Sequence, residues 1–327
     1  MAGKNSRFAL YAWGVTALTL VVILWGAFVR ASHSGDGCGA HWPLCNGEVL
    51  PAAERKTLVE FAHRATSGVA FLLVIGLLVW AFRAFGRGSA VRRGAALSAL
   101  FIVTESLIGA GLVLLRLVGN NASGARAVYL SIHLVNTFLL VAALALTAWW
   151  ASRGEGASAP RFAEFLRGRV GLALVGTLAV GVSGAVAALG ATLFPEGGAA
   201  SAEDAHPLFG LRQYNLHPLL ALVVGGYLVY FAARAGREAG LDRWTRRWAA
   251  SVVGLVLLQT AAGLLNAWLL APVWLQITHL LLADLLWLAL VLLSADVLAH
   301  ARAGAALPRL QVSPADGERV ALSAARD

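Results

Sequence analysis

Long apolar runs alternate with short polar segments along the whole chain. The runs lie near residues 8–30, 61–82, 94–115, 127–150, 170–190, 214–233, 248–270 and 275–298. Each has about 20 residues, enough for an α-helix to cross a hydrocarbon core about 30 Å thick. Because unpaired backbone groups are not tolerated in lipid, such spans are helices. The pattern predicts an all-α, polytopic membrane protein of eight transmembrane helices.

The basic residues are distributed unevenly between the polar segments. The 327-residue chain has a net charge of +9 and 26 lysines and arginines. If the N-terminus is cytoplasmic, 19 of them lie on the inner side and 7 on the outer side, as the positive-inside rule requires. We therefore expect the charge to orient the chain and to contact anionic lipid, with no nucleic-acid partner. Since no Arg- and Ser-rich transit segment precedes the first run, we expect a multi-pass protein of the bacterial plasma membrane with both termini cytoplasmic.

The chain also repeats itself. In the first half, TESLIGAGLVLL (104–115) precedes SIHLVNTFLL (131–140). In the second half, LQTAAGLLNAWL (258–269) precedes ITHLLLADLLW (277–287). Duplicated membrane proteins can relate such halves by a pseudo-two-fold axis along the membrane normal. The repeat predicts two pseudo-symmetric four-helix bundles.

The domain boundaries follow from this repeat. The N-terminal four-helix half covers residues 1–152 and the C-terminal half covers 153–307. A cytoplasmic tail covers 308–327. The division falls in the inner segment 151–169, which is rich in Arg, Gly, Ser and Ala.

Half of the eight histidines fall on the even-numbered predicted helices, one on each. These are His63, His133, His217 and His279. All four are expected within about the first two turns from the outer side, and so at one depth. An ionisable residue inside a span is costly and is a functional candidate, although a lone one can also be a hydrogen-bonded core residue. The other four are expected to be solvated or interfacial: His33, His41, His206 and His300.

Two facing imidazoles in an apolar bundle narrow the choice of cofactor. Zinc usually takes three or four protein ligands, whereas two axial imidazoles are the usual ligands of a six-coordinate haem iron. The interior of a helix bundle is also a normal haem site, and Gly109, Gly111 and Gly263 leave room for a flat ring. The pattern favours two haem pockets, one in each half. A di-haem b-type cytochrome that only transfers electrons stays an alternative, as does a transporter that relays protons through its histidines.

The segment between the first two helices holds the two cysteines of the chain, Cys38 and Cys45. Disulfides persist on the outer side of a plasma membrane, so we expect the pair to close a short loop. Glu60 follows, three residues before His63 and on the same helix face. A site that moves protons at a substrate needs an acid, whereas an electron carrier does not. Glu60 is therefore a catalytic candidate, and an ion pair with Arg64 is the structural alternative.

These residues carry a resemblance to a known family. The segment GAFVRASHSGDGCGAHWPLCNG (26–47), followed by EFAHR (60–64), resembles the haem A synthases, which include a bacterial enzyme and its mitochondrial counterpart. The resemblance extends over all eight helices, with GAVAALGATLFP (184–195) and the four helix histidines in the expected order. The chain departs from the family at His33, where glycine is more usual, and at Ala191, where related sequences often carry Asp.

The resemblance implies a function. Haem A synthases are oxidoreductases that convert the C8 methyl of haem O to a formyl group by successive hydroxylations, giving haem A for cytochrome oxidase. By this resemblance, His63 and His133 bind the iron of the substrate haem O, with Glu60 beside its reacting edge. His217 and His279 bind the iron of a haem b that relays electrons. The expected partners are a haem O synthase, cytochrome oxidase assembly factors and further copies of the chain.

Overall fold

The structure, a computed structural model, describes residues 2–49, 51, 53–153, 160–194, 216–238 and 242–306. Within these ranges, eight helices are long and apolar enough to cross a membrane. They are α1 (Ala2–Ala31), α2 (Arg55–Ala84), α3 (Ala90–Leu114), α4 (Gly124–Arg153), α5 (Gly168–Leu193), α6 (His217–Arg237), α7 (Arg243–Trp268) and α8 (Val273–Ala306). A single helical turn, Phe162–Phe165, precedes α5. The described ranges contain no β-strand, and the prediction of an all-α, multi-pass membrane protein is confirmed. His206 and the predicted tail lie outside the described residues.

Local sequence signals set several helix ends. The Ser89 hydroxyl accepts a hydrogen bond from the backbone N–H of Arg92 at the start of α3, and Asp242 accepts two at the start of α7, as N-capping residues do. Pro218 lies in the first turn of α6, a position that tolerates proline. After α1, His33 has φ 53°. That left-handed conformation favours glycine, which is the more usual residue at this position in the sequences that the chain resembles.

The helices of each half pack in the same cyclic order. Helices α1, α2, α3 and α4 form a ring that closes from α4 back to α1, and α5, α6, α7 and α8 form a second ring that closes from α8 back to α5. The rings meet through α4 with α5, α8 with α1 and α4 with α8. If each helix is exchanged with its counterpart in the other ring (α1 with α5, α4 with α8), the α4–α5 contact becomes the α8–α1 contact. The α4–α8 contact stays the same. The contact pattern therefore has the two-fold relation that a duplicated chain predicts.

Helices α4 and α8 lie at the centre of the molecule. In the most apolar 18-residue stretch of each helix, 50% of the residues are buried in α4 and 61% in α8, against 17–33% in the other six helices. Phe138 of α4 stacks on Trp287 of α8 with ring centroids 5.2 Å apart. The Trp287 indole N–H also donates to the Phe138 carbonyl oxygen over 2.7 Å. Because a buried indole N–H needs an acceptor, this pair fixes how the two central helices meet.

An ion pair between a partly exposed arginine and a buried carboxylate joins the central helices at the end of the bundle opposite the cysteines. Arg153 Nη2 of α4 lies 2.7 Å from Asp296 Oδ1 of α8, and Asp296 is fully buried. The Thr245 hydroxyl of α7 donates to the other carboxylate oxygen. His300, one turn further along α8, lies with Nδ1 2.9 Å from the Asp296 carbonyl oxygen. His300, which we expected to be solvated or interfacial, is partly exposed and lies within hydrogen-bond distance of its own helix backbone.

Candidate functional site

The four helix histidines all lie toward the end of the bundle that carries the cysteines. His217 is the first residue of α6, and His279 lies in the second turn of α8. His63 and His133 lie in the third turns of α2 and α4. The prediction of the first two turns is wrong for these two, because both helices begin before their apolar runs. Polar residues can extend a helix beyond the lipid, since its hydrogen bonds are all internal.

The histidines come in two pairs across the rings. Helices α2 and α4 occupy diagonal places in the first ring, as α6 and α8 do in the second. The imidazoles of His63 and His133 are close enough to interact electrostatically, and so are those of His217 and His279. Each ring of helices therefore brings together the two histidines that the sequence analysis pairs.

Each imidazole also lies against a glycine of the preceding helix. The contacts are Gly26 with His63, Gly109 with His133, Gly184 with His217 and Gly263 with His279. A Cβ at Gly26 would lie 2.9 Å from the nearest ring atom, and one at Gly184 or Gly263 would lie 3.0 Å away. These separations are shorter than carbon–carbon contacts normally are. At Gly109 the distance is an ordinary 3.9 Å. Gly111, also expected beside a flat ring, faces Tyr129 instead.

A network of polar side chains on α3 and α4 lies beside His133 of the first histidine pair. Glu105 Oε1 lies 3.5 Å from His133 Nδ1 and accepts the Thr137 hydroxyl. Glu105 Oε2 accepts the Asn136 amide over 2.6 Å, and the Thr104 hydroxyl donates to Asn136 Oδ1 over 2.6 Å. Neither Glu105 nor Asn136 was a site candidate in the sequence analysis; the structure brings Glu105 to His133 and Asn136 to Glu105.

Neutral side chains contact the second pair in the part of the chain that the structure describes. His217 Nδ1 lies 2.9 Å from the Ser183 hydroxyl. The Gln259 side-chain amide lies 3.3 Å from His279 Nε2, while His279 Nδ1 is buried without a hydrogen-bond partner. A carboxylate therefore lies beside His133, whereas a neutral amide lies beside His279.

Glu60 lies at the junction of α2 and the cysteine loop and is only 3% exposed. Its Oε2 accepts the backbone N–H of Cys38 over 2.8 Å. Its Oε1 accepts from Arg64 Nε over 3.2 Å and from Nη2 over 2.5 Å. Arg64 Nη1 in turn donates to the carbonyl oxygens of His41 and Leu44. The ion pair that was the structural alternative is present, and the loop supplies a further partner.

The cysteine loop is closed and docked on α2. Cys38 and Cys45 form the expected disulfide, and both are buried. The Thr57 hydroxyl donates to the Gly37 carbonyl oxygen over 2.9 Å. A Cβ at Gly37 would lie 2.5 Å from the carbonyl carbon of Lys56, so only glycine allows this approach. The docking places the Cys38 N–H at Glu60.

These residues fit haem. Within the described ranges, no three His, Cys, Asp or Glu side chains gather as a metal site. Each imidazole pair instead offers two nitrogen ligands, the number that a haem iron takes besides its macrocycle. The buried Nδ1 atoms of His63, His133 and His279 have no hydrogen-bond partner, and the glycines leave space beside the rings.

Comparison with known protein families shows which family the chain belongs to. A family model described as a cytochrome oxidase assembly protein matches residues 9–291, which is most of the chain. The chain belongs to the cytochrome oxidase assembly protein family. All four helix histidines, Glu60 and both cysteines lie within the matched range.

Individual relatives of this family member carry two different names. A protohaem IX farnesyltransferase of Thermus thermophilus is 51% identical over 305 residues, which are 90% of this chain and 49% of the relative. The chain thus spans about half the length of that relative. A haem A synthase of Symbiobacterium thermophilum is 34% identical over 264 residues, 76% of this chain and 82% of the relative. One from Exiguobacterium sp. is 28% identical over 266 residues, 81% of this chain and 84% of the relative.

Proposed function

We propose that the chain is a haem A synthase, which oxidises the C8 methyl of haem O to a formyl group by successive hydroxylations. The observation that carries the proposal is that different side chains lie beside the two imidazole pairs. Two carboxylates, Glu60 and Glu105, accompany the first pair, whereas the side chains that the structure describes against the second pair, Ser183 and Gln259, are neutral. A protein that only carried electrons through two equivalent haems would have no use for this difference. The relatives named haem A synthase support the same function.

In this proposal the first half binds the substrate. His63 and His133 ligate the iron of haem O, and Glu60 stands beside the reacting edge. The carboxylate is oriented through both oxygens by Arg64 and the Cys38 N–H. Each carboxylate oxygen has two lone pairs, so Glu60 retains the capacity to accept a proton from the reacting oxygen. It can also stabilise positive charge that develops at the methyl carbon.

The second half holds the resident cofactor. His217 and His279 ligate the iron of haem b, which supplies one-electron transfer when bound. Ser183 orients the His217 ring through its Nδ1. Gly184 and Gly263 let the two imidazoles lie close to their neighbouring helices. An electron relay needs rigid ligands and no proton donor, and these neutral contacts meet that need.

The location and partners follow from the same proposal. The charge distribution supports a topology in which both termini are cytoplasmic and the cysteine loop lies outside a bacterial plasma membrane. The substrate comes from a haem O synthase, the first expected partner. The Thermus relative, named a farnesyltransferase, supports this association because about half of its length lies outside the match. Cytochrome oxidase assembly factors and further copies of the chain remain proposed partners.

The test is to express the chain in cells that make haem O but no haem A, and to analyse extracted haems by chromatography. Haem A should appear only when the chain is present. Purified chain given haem B and farnesyl diphosphate should make no haem O, because the match to the farnesyltransferase covers half of that protein. Haems B and O without haem A in every extract would favour the electron-transfer cytochrome. Haem O made from haem B would assign the farnesyltransferase activity to this chain.

A further inference from the structure

We propose that Glu105 is a positioning residue that tunes the iron bound at the first histidine pair by accepting a hydrogen bond from His133 Nδ1. In the second half, the neutral side chain of Gln259 takes the corresponding place in the repeat. This inference rests on the proposed function, since it concerns how the two haem irons are made different.

The contacts of Glu105 hold its carboxylate in one orientation. One oxygen accepts the Thr137 hydroxyl and the other accepts the Asn136 amide. The Thr137 hydroxyl oxygen also lies 2.8 Å from the His133 carbonyl oxygen, so the network is next to the helix turn that carries the histidine. The Glu105 side chain is 17% exposed and the His133 side chain 28%. These hydrogen bonds fix the orientation of the Glu105 carboxylate toward one further partner.

That partner is the His133 ring. Its Nδ1 lies 3.5 Å from Glu105 Oε1 and is buried with no hydrogen bond. The separation is slightly longer than a hydrogen bond, and such contacts often tighten when a site is loaded. With Nδ1 turned toward Glu105, Nε2 is the ring nitrogen left for the iron. Ligand histidines commonly donate their second N–H to a carboxylate in this way.

The internal repeat supplies an independent observation. Aligning TESLIGAGLVLL with LQTAAGLLNAWL places Glu105 opposite Gln259, and Gly109 opposite Gly263. The two glycines contact His133 and His279 respectively, so the alignment agrees with the packing. Gln259 contacts its histidine through Nε2 and leaves Nδ1 without an acceptor. The two halves therefore share a scaffold and differ by a carboxylate at this site.

The difference has a direct electronic consequence. A hydrogen bond from Nδ1 to an anion raises the basicity of the imidazole and its donation to the metal. Stronger donation stabilises the oxidised iron, so the first site should have the lower reduction potential. An electron removed at the substrate site then moves favourably to the second site. Axial ligands and their hydrogen bonds are known to set haem potentials.

The test uses the purified full chain loaded with haem B in both pockets, so that turnover plays no part. Glu105→Gln keeps the size and polarity of the side chain and removes its charge. At a fixed potential, the reduced-to-oxidised ratio of the first haem should rise about tenfold, which equals about 59 mV for one electron. The second haem should not change, and its signal is identified with His279→Ala, which removes it.

The control is Ser106→Ala on the same helix, because the Ser106 hydroxyl donates to the Ile102 carbonyl oxygen of that helix and not to the Glu105 network. It should shift neither haem. An unchanged first haem in Glu105→Gln, or an equal shift in Ser106→Ala, overturns the inference. If Glu105→Gln fails to retain haem, Glu105→Asp decides, because it withdraws the carboxylate from His133 Nδ1 and the first haem should then shift toward the reduced form; no shift overturns the inference. Failure of the wild-type chain to bind haem would instead reject the proposed function.

Discussion

At the residue scale, Glu60 shows how a charged group is kept inside an apolar bundle. A buried carboxylate costs free energy unless it is paired and hydrogen-bonded. Arg64 and the Cys38 N–H supply these partners. The ion pair with Arg64 and a catalytic role are therefore compatible, because the pairing fixes the acid beside His63. The backbone partner also couples the acid to the disulfide loop.

Replacing Glu60 with Gln should separate these two roles. The variant keeps the shape and a hydrogen-bond acceptor for Cys38, and it removes the titratable group. General acid–base groups typically contribute about 10²–10⁴-fold to a rate, so haem A formation should fall by about that factor. Haem b content should stay, and haem O should accumulate on the protein. Chromatography of extracted haems measures all three.

A matched control is Glu238→Gln. Glu238 also pairs with an arginine four residues away, Arg234, but on an exposed surface. It should leave haem A formation unchanged. A Glu60→Gln protein that makes haem A at the wild-type rate would reduce Glu60 to the partner of Arg64.

Sequence spacing predicted the site residues that lie close together along the chain. Glu60 and His63 share a helix, so the three-residue spacing was enough to place them together. The contact of Glu105 with His133 joins α3 to α4, and its register depends on how the two helices pack. The same holds for Ser183 and His217. The one available signal was the repeat, in which Glu105 and Gln259 hold the same place.

At the element scale, the helices approach each other where a glycine faces a histidine. The sequence indicated glycines near the pockets, but it did not distinguish Gly263, which contacts His279, from Gly111, which faces Tyr129. Both lie on helices that carry a histidine contact, and only the rotation of each helix decides which residue faces inward. Apolar runs likewise predicted the spans well, but they mark the lipid-embedded part and not the helix ends. Helix α2 thus begins at Arg55, before its run.

Gly263→Ala should weaken haem binding in the second half. The added methyl would lie 3.0 Å from His279 Cε1 and push the ring from its position. Overpacking of this kind costs about 1–3 kcal/mol, so the haem should dissociate about 5- to 150-fold more readily. Retained haem b is measured by absorbance after dilution in detergent.

Gly254→Ala is the matched control on the same helix. A Cβ there meets nothing within 4 Å, and alanine favours a helix over glycine by about 1 kcal/mol. This variant should keep its haem. Equal haem retention in the two variants would show that the glycine contact does not matter for the site.

At the scale of the whole molecule, α4 and α8 hold the two rings together. The stacked Phe138 and Trp287 join them in the middle, and the pair of Arg153 with Asp296 joins them at the end opposite the cysteines. Both central helices carry a histidine, one for each pair. Their packing therefore sets the relation between the two pockets. The duplication seen in the sequence is supported by the contact pattern and stays a prediction.

Replacing Arg153 with Met should destabilise the molecule. It leaves the fully buried Asp296 with the Thr245 hydroxyl but without the arginine. Because Arg153 is partly exposed, we expect a cost of about 3 kcal/mol, the low end of the range for breaking a fully buried pair. Thermal unfolding in detergent should show a lower midpoint. Arg169→Met is the control, because its pair with Glu238 is about half exposed and such pairs contribute at most about 1 kcal/mol. Equal unfolding midpoints in the two variants would contradict a stabilising role for the pair of Arg153 with Asp296.

The most direct test of the account is the haem content of the purified chain after replacement of each of the two histidines proposed to bind haem b. The account predicts that His217→Ala and His279→Ala each lose most of the tightly bound haem b, measured as a pyridine haemochrome. His300→Ala, on α8 at the opposite end, should keep it. Unchanged haem b in both ligand variants would contradict the claim that this histidine pair holds the resident cofactor.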